Sequence, residues 1–170
     1  MTFRALIAAT FVLAAASAQA QTPAPYSPPE GNFTVDFPSP PNVQSREAVR
    51  SKDIGLRRYV DQERDRAFIV AVDLYPPDIL PRSPNGGVYD HLLRLHAEDD
   101  MLTLVSTRAA RLSGLPCLEG TFTDKDENLE IVRVLVVGDA IWRVTYAHPA
   151  DLTDPEPAKA FFASFKLTNP

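Results

Sequence analysis

Alternating apolar and polar residues predict that most of this chain is β-strand. The predicted strands, in chain order, cover residues 33–37, 43–51, 55–61, 66–75, 101–112, 118–123, 129–137 and 140–147. In the fourth strand, alternate apolar residues fall on one face and predict a buried surface: Phe68, Val70, Val72 and Leu74. Gly138-Asp139 between the last two strands fits a two-residue hairpin turn of type II′. The pattern therefore predicts an antiparallel sheet.

Two segments show helical spacing instead. Over residues 88–100, Val88, Leu92 and Leu95 recur at intervals of four and three and predict the buried face of an amphipathic helix. A second helix is predicted over residues 155–167, because Asp154 can cap it and Pro155 suits its first position. Its broad apolar face contains Ala158, Phe161, Phe162 and Phe165. Since some strands are apolar on both sides, we expect an α+β fold, an antiparallel sheet covered by helices on both faces.

Changes in composition divide the chain into three parts. Residues 1–20 place Arg4 before an apolar run and end in Ala18-Gln19-Ala20, the pattern of a signal peptide cleaved after Ala20. The run is shorter than the roughly 20 apolar residues that span a bilayer. Residues 21–30 are proline-rich and predict a tether, and residues 31–170 predict a single globular domain. We therefore expect a periplasmic or secreted protein without membrane insertion after cleavage.

Charge and cysteine content narrow the possible partners and chemistry. The formal net charge is −5, and the 17 Lys and Arg residues are scattered along the chain. Nucleic acid is not an expected partner, because phosphate binding needs clustered positive charge. Cys117 is the only cysteine, and its apolar neighbours Leu115 and Leu118 predict a buried thiol. A reactive thiol exposed in the preceding loop is the alternative.

Candidate metal ligands and catalytic groups lack the spacing that their chemistry needs. His91 and His96 are five residues apart, which separates them by roughly 140° around a helix. They therefore do not converge on one metal ion. A catalytic hypothesis would combine His148, Asp151 and Cys117, but the chain has no Gly-x-Ser-x-Gly motif for a serine nucleophile. We assign no catalytic residue and expect neither a metal nor a cofactor.

Two arginines and one loop are candidate contacts. Arg133 and Arg143 interrupt the two most apolar strands. For each we expect either a structural ion pair or an alkyl stem along the sheet with an exposed guanidinium, and an anion or partner contact is the alternative. The loop 76–87 contains four prolines and also carries Ile79 and Leu80. Because prolines reduce the entropy lost on docking, these two residues are the predicted contacts with a protein partner. The alternative is that the loop 76–87 is an ordered crossover connection that packs against the domain and contacts no partner.

Four motifs along residues 31–167 occur in an order shared with a known family. They are Gly31-x-Phe33-x-Val35-x-Phe37-Pro38-x-Pro40, Gly114-Leu115-Pro116 before a strand, the hairpin 134–146 with Gly138 in its turn, and the segment 160–167. This order resembles the PsbP-like family, as found in small exported bacterial proteins. The resemblance implies a PsbP-like α/β/α sandwich.

The same resemblance bears on function. The wider family includes an extrinsic protein of photosystem II and a factor that binds a nuclear-transport GTPase, so it implies binding or assembly rather than catalysis. We therefore expect an exported, non-catalytic binding or assembly domain with an unknown protein partner. The alternatives are a small periplasmic hydrolase or metal-dependent enzyme, and a ligand-binding module with a pocket between sheet and helix.

Overall fold

The computed structural model describes residues 25–46, 54–82 and 84–168, and the predicted signal peptide 1–20 lies outside them. Its elements are β1 (Phe33–Thr34), β2 (Asn42–Arg46), β3 (Gly55–Gln62), β4 (Ala67–Leu74), α1 (Gly86–Asp99), β5 (Thr103–Leu112), β6 (Leu115–Thr123), β7 (Leu129–Val137), β8 (Ala140–His148), α2 (Glu156–Ser164) and β9 (Lys166–Leu167). The predominance of strands with two short helices agrees with the predicted α+β class.

Seven strands form one antiparallel sheet in the order β2-β3-β4-β8-β7-β6-β5, and β1 pairs with β9 separately. Tight hairpin turns connect β7 to β8 and β5 to β6. Gly138 has a φ of 57°, as the first residue of the predicted type II′ turn requires. Ser113 and Gly114 both have positive φ, which is typical of a type I′ turn, and this turn joins β5 to β6. The second part of the predicted strand 43–51 lies outside the described residues beyond Arg46.

The buried face of helix α1 overlaps the predicted one but is displaced around the helix. Leu93 is fully buried, whereas Leu95, which the periodicity placed in the core, is 39% exposed. A β-carbon on Gly120 of β6 would lie 3.1 Å from Leu93 Cδ1, so the missing side chain lets α1 approach the sheet at this point. Because three leucines occur within four residues, the sequence permits two overlapping faces, and contact with the sheet selects the one centred on Leu93.

Helix α1 also begins inside the predicted loop. It starts at Gly86, and the Asn85 side chain accepts a hydrogen bond from the Val88 amide at 3.3 Å. Asn85 therefore caps the helix instead of forming part of a loose turn.

The closing helix ends earlier than predicted. It stops at Ser164, Phe165 is extended, and Lys166–Leu167 pair antiparallel with Phe33–Thr34. The predicted apolar face is confirmed, because Ala158, Phe161, Phe162 and Phe165 are all buried. The apolar residues keep helical spacing beyond the end of the helix. The local pattern therefore predicted helix where the structure has the strand β9.

Two apolar clusters occupy alternate residues of the central strands. The first contains Phe161 and Phe162 of α2 together with residues of β4 and β8. The second contains Leu93 of α1 together with residues of β6, β7 and β8. Within β7, Val134 belongs to the second cluster and Leu135 to the first, as expected for neighbouring residues that project from opposite faces of a strand. Each helix thus packs against one cluster.

Part of the predicted tether lies against the domain. Tyr26 and Val35 exchange two backbone hydrogen bonds of 2.8 and 3.0 Å. The Tyr26 ring lies 5.9 Å from that of Tyr59, and an ion pair of 2.5 Å joins Glu30 to Arg57. Tyr26, which lies among the prolines of this segment, buries apolar surface against the first cluster. No helix within the described ranges is long and apolar enough to cross a membrane.

Candidate functional site

A groove lies between the sheet and the first turns of α2, beside the loop that precedes this helix; we call it the α2 groove. Its volume is about 350 Å³. The apolar residues of its lining include Leu129, Ile131, Leu152, Pro155, Ala158 and Phe162. The charged and polar residues include Arg108, Glu119, Arg133, His148, Asp154 and Lys159. Small-molecule sites in proteins occupy about 300–1,000 Å³ and combine apolar walls with a few polar groups.

One row of the groove wall is an arginine–glutamate–arginine triad. The strand register places Arg108, Glu119 and Arg133 side by side on β5, β6 and β7. Glu119 is only 2% exposed. Arg108 Nε donates a hydrogen bond to Glu119 Oε1 at 2.5 Å, and Arg133 Nε donates to Oε2 at 2.8 Å. Both carboxylate oxygens therefore have a charged partner, which offsets the cost of burying the charge.

The two arginines differ in how firmly they are held. Arg133 also donates from Nη1 to the Arg111 carbonyl at 3.0 Å, and its guanidinium lies 4.3 Å from the centre of the Phe162 ring. This cation–π contact joins β7 to α2. The Arg108 side chain is 73% exposed and touches the protein through its Nε bond to Glu119, which raises the pKa of Arg108.

Ion pairs are confirmed for both arginines that the sequence singled out. Arg133 pairs with Glu119, as described above, and Arg143 Nη2 donates to Asp73 Oδ2 at 2.8 Å. Burial raises the pKa of Asp73, and the nearby Arg143 opposes this shift. The two pairs explain how a cation can occupy an apolar strand.

Two further rows form the apolar floor of the α2 groove. Ile131 lies beside Tyr146, and Leu129 lies beside His148. Tyr146 is fully buried, burial raises its pKa, and its hydroxyl has no hydrogen-bond partner among the described residues. His148 Nδ1 donates a hydrogen bond to the Pro149 carbonyl at 2.8 Å. The floor thus contains two polar rings among aliphatic side chains.

The structure does not bring together the residues of the catalytic hypothesis. Cys117 is buried as predicted, and burial raises the pKa of its thiol to about 11, so the thiol is protonated at neutral pH. Leu118, the residue after Cys117, pairs with Val134 of β7, whereas His148 pairs with Leu129 of the same strand. These two positions are five residues apart, roughly 17 Å along the strand. Asp151 is exposed in the loop before α2. These three groups do not share a cleft.

The histidines of α1 have separate environments. His91 is exposed, whereas His96 is buried with Nε2 2.7 Å from Glu130 Oε1 and Nδ1 3.3 Å from Asp100 Oδ2. In the part of the chain that the structure describes, no group of three or more His, Cys, Asp or Glu residues is arranged to hold a metal ion. His96 therefore connects α1 to β7 as a structural residue.

The loop 76–87 separates its two candidate contact residues. Ile79 is 63% exposed, whereas Leu80 is half-buried and packs against the second cluster. The loop is tied to the β7–β8 hairpin by a hydrogen bond of 2.8 Å from the Tyr75 amide to the Asp139 carbonyl. Asp139 also accepts a bond from the Asp78 amide at 3.2 Å. Of these two candidate residues, only Ile79 is presented to solvent.

Sequence reasoning missed Arg108 and Glu119. One signal was available for Glu119, which lies two positions after Cys117 on the same strand. Residues two positions apart on a strand share one face, so a buried Cys117 implies a buried Glu119, and a buried carboxylate needs a partner. The partner itself was not identifiable, because the pairing of β5, β6 and β7 is a tertiary property.

Comparison with known proteins supplies no family for the chain. No protein-family model matches it, and no curated protein matches it. The function is therefore inferred from the groove and its chemistry.

Proposed function

We propose that this protein is an exported, non-enzymatic binding domain that holds a small molecule in the α2 groove. The observation that carries the proposal is the groove itself, a space of about 350 Å³ with a largely apolar floor and with the charged row Arg108, Glu119 and Arg133 in its wall. Such a site buries the apolar part of a ligand and orients it through the polar groups.

The polar groups in and near the groove suit binding better than catalysis. A general base needs a free acceptor within reach of the reacting proton. Both Glu119 oxygens already accept hydrogen bonds from guanidinium groups. The Cys117 thiol is buried with a pKa of about 11, which makes it a poor nucleophile at neutral pH.

We also propose the PsbP-like sandwich and export to the periplasm or beyond. The packing of α1 and α2 against clusters on alternate residues of the same strands supports a helix on each face of the sheet. The charge, apolar run and Ala18-Gln19-Ala20 site of residues 1–20 support export.

An NMR titration with 1-octanol and octanoate tests the binding function. We expect saturable shifts of backbone amides in β7, β8 and α2, because the aliphatic chain of either probe fits the floor. The variant Ile131→Trp fills the groove and should abolish the shifts. Ile69→Trp replaces a half-buried isoleucine of β4 that does not line the groove and should keep them. The absence of saturable shifts with both probes would overturn the proposal.

A protein contact through Ile79 is the second candidate function. The observation that favours it is the exposure of this side chain on a loop whose neighbouring Leu80 is packed down. An apolar residue held at a restrained, exposed position can anchor a partner with little loss of entropy.

A further inference from the structure

Among the residues that line the α2 groove, Arg108 has the most unused hydrogen-bond donors. A guanidinium has five N–H donors, and Arg108 uses only the Nε donor within the described residues, toward Glu119. Its two terminal nitrogens are left to interact with solvent or a ligand. Arg133 has fewer donors left, because it also binds the Arg111 carbonyl and stacks on the Phe162 ring.

The charge balance of the triad is positive. Two guanidinium groups share the single Glu119 carboxylate, so one positive charge is uncompensated within the row. Lys159, at the α2 side of the groove, pairs with Glu156 at 2.8 Å, and Asp154 accepts a hydrogen bond from the Glu156 amide. Both acids sit at the start of α2, so the excess positive charge of the triad lies on the sheet side, where Arg108 is the more exposed of the two arginines.

The buried glutamate also restricts Arg108. An exposed arginine normally loses side-chain entropy when it binds an anion. Here the Nε bond to a carboxylate that is itself immobilised by Arg133 holds the guanidinium before a ligand arrives. The terminal edge, with two parallel N–H donors, matches the two oxygens of a carboxylate. Glu119 is thus a positioning residue for Arg108.

The apolar floor begins next to this row. Ile131 and Leu129 follow Arg133 at two-residue steps on the same face of β7, so the floor extends roughly 13 Å from the charged row. We infer that the ligand is an amphipathic monocarboxylate whose carboxylate binds the Arg108 terminal edge and whose hydrocarbon part lies over Ile131 and Leu129. This inference rests on the proposed small-molecule function and adds the chemical class of the ligand.

Three probes of matched chain length test the inference: octanoate, 1-octanol and octylamine, each titrated by NMR at pH 7.5. We expect octanoate to bind at least tenfold more tightly than octanol, since a charge-assisted hydrogen bond is worth a factor of about ten or more. Octylamine should bind most weakly. Equal affinities for octanoate and octanol, or tighter binding of octylamine, would overturn the carboxylate assignment while leaving the binding function intact. Failure of all three probes to bind would instead reject the binding function.

A matched pair of variants locates the effect. Arg108→Gln keeps one donor for Glu119 but removes the guanidinium edge, so octanoate affinity should fall roughly tenfold and octanol affinity should not change. Arg111→Gln is the control, because Arg111 is an exposed arginine on the same strand that does not line the groove. An equal loss for both probes in Arg108→Gln, or an equal effect of Arg111→Gln, would contradict the assignment. Thermal melts of both variants establish that they are folded.

Discussion

At the residue scale, three buried ionisable side chains have specific partners: Asp61, His96 and Glu119. Asp61 accepts hydrogen bonds from the Ser39 amide and hydroxyl at 2.7 and 2.6 Å, and His96 contacts Glu130 at 2.7 Å. Glu119 follows the same rule with two arginines. Removing one member of such a pair leaves a buried charge or dipole without compensation, which costs more free energy than the intact pair contributes.

The two apolar residues of the loop 76–87 should respond differently to the same change. Leu80→Ser should lower the free energy of unfolding by about 1–2 kcal/mol, because half-buried apolar surface is lost from the second cluster. Ile79→Ser should leave it nearly unchanged, because the side chain is already exposed. Urea denaturation measures both effects. If Ile79 anchors a protein partner, the stable Ile79→Ser variant should capture less of it from a periplasmic extract, and undiminished capture would contradict that role.

At the element scale, the end of α2 is determined by contacts from outside the helix. The Ser164 hydroxyl donates to the Phe161 carbonyl at 2.8 Å and accepts from the Asp36 amide at 3.0 Å. Phe165 then turns into an extended conformation and remains fully buried. Its ring lies 5.6 Å from Phe33 and 5.8 Å from Trp142. The closing segment therefore packs through a helix, one extended aromatic residue and a short strand.

Phe165→Ala should lower the free energy of unfolding by about 3–5 kcal/mol, because it leaves a cavity between β1 and β8. Leu95→Ala, at a partly exposed position of α1, is the comparison and should cost less than about 1 kcal/mol. Urea titrations followed by the fluorescence of Trp142, the only tryptophan, measure both changes. An unchanged denaturation midpoint for Phe165→Ala would show that this residue does not contribute to the core.

At the scale of the whole molecule, the two ends of the described chain meet beside the first cluster. β1 pairs with β9, Tyr26 pairs with Val35, and the Thr168 amide donates to the Asn32 carbonyl at 3.1 Å. The pairing of β1 with β9 therefore closes the domain. Residues 25–30 belong to this closure through Tyr26, Pro28 and Glu30.

A chain that begins at residue 31 should therefore be less stable than one that begins at residue 21. We expect a loss of about 2–4 kcal/mol, because the shorter chain lacks the Tyr26 ring contacts and the Glu30–Arg57 ion pair. Calorimetric or urea denaturation of the two chains measures this difference. Coinciding transitions would mean that residues 21–30 behave as the proline-rich tether that composition alone predicts.

Features that depend on neighbouring residues were predictable from the sequence. The strands follow from a period of two, the turn at Gly138 from its conformational freedom, and the apolar face of α2 from helical spacing. The burial of Cys117 was predictable because its neighbours are apolar, and the pairing of Arg133 because a charge in an apolar strand needs a partner.

Features that depend on residues distant in sequence were decided by the tertiary structure. Leu93 was selected over Leu95 by contact with Gly120, and β9 is a strand because β1 lies beside it. The α2 groove combines four strands with a helix that follows them in the chain, and Arg108 lies next to Glu119 through strand pairing alone. Periodicity records which side of an element is apolar, but it carries no information on which element packs there, and the site exists only through that packing.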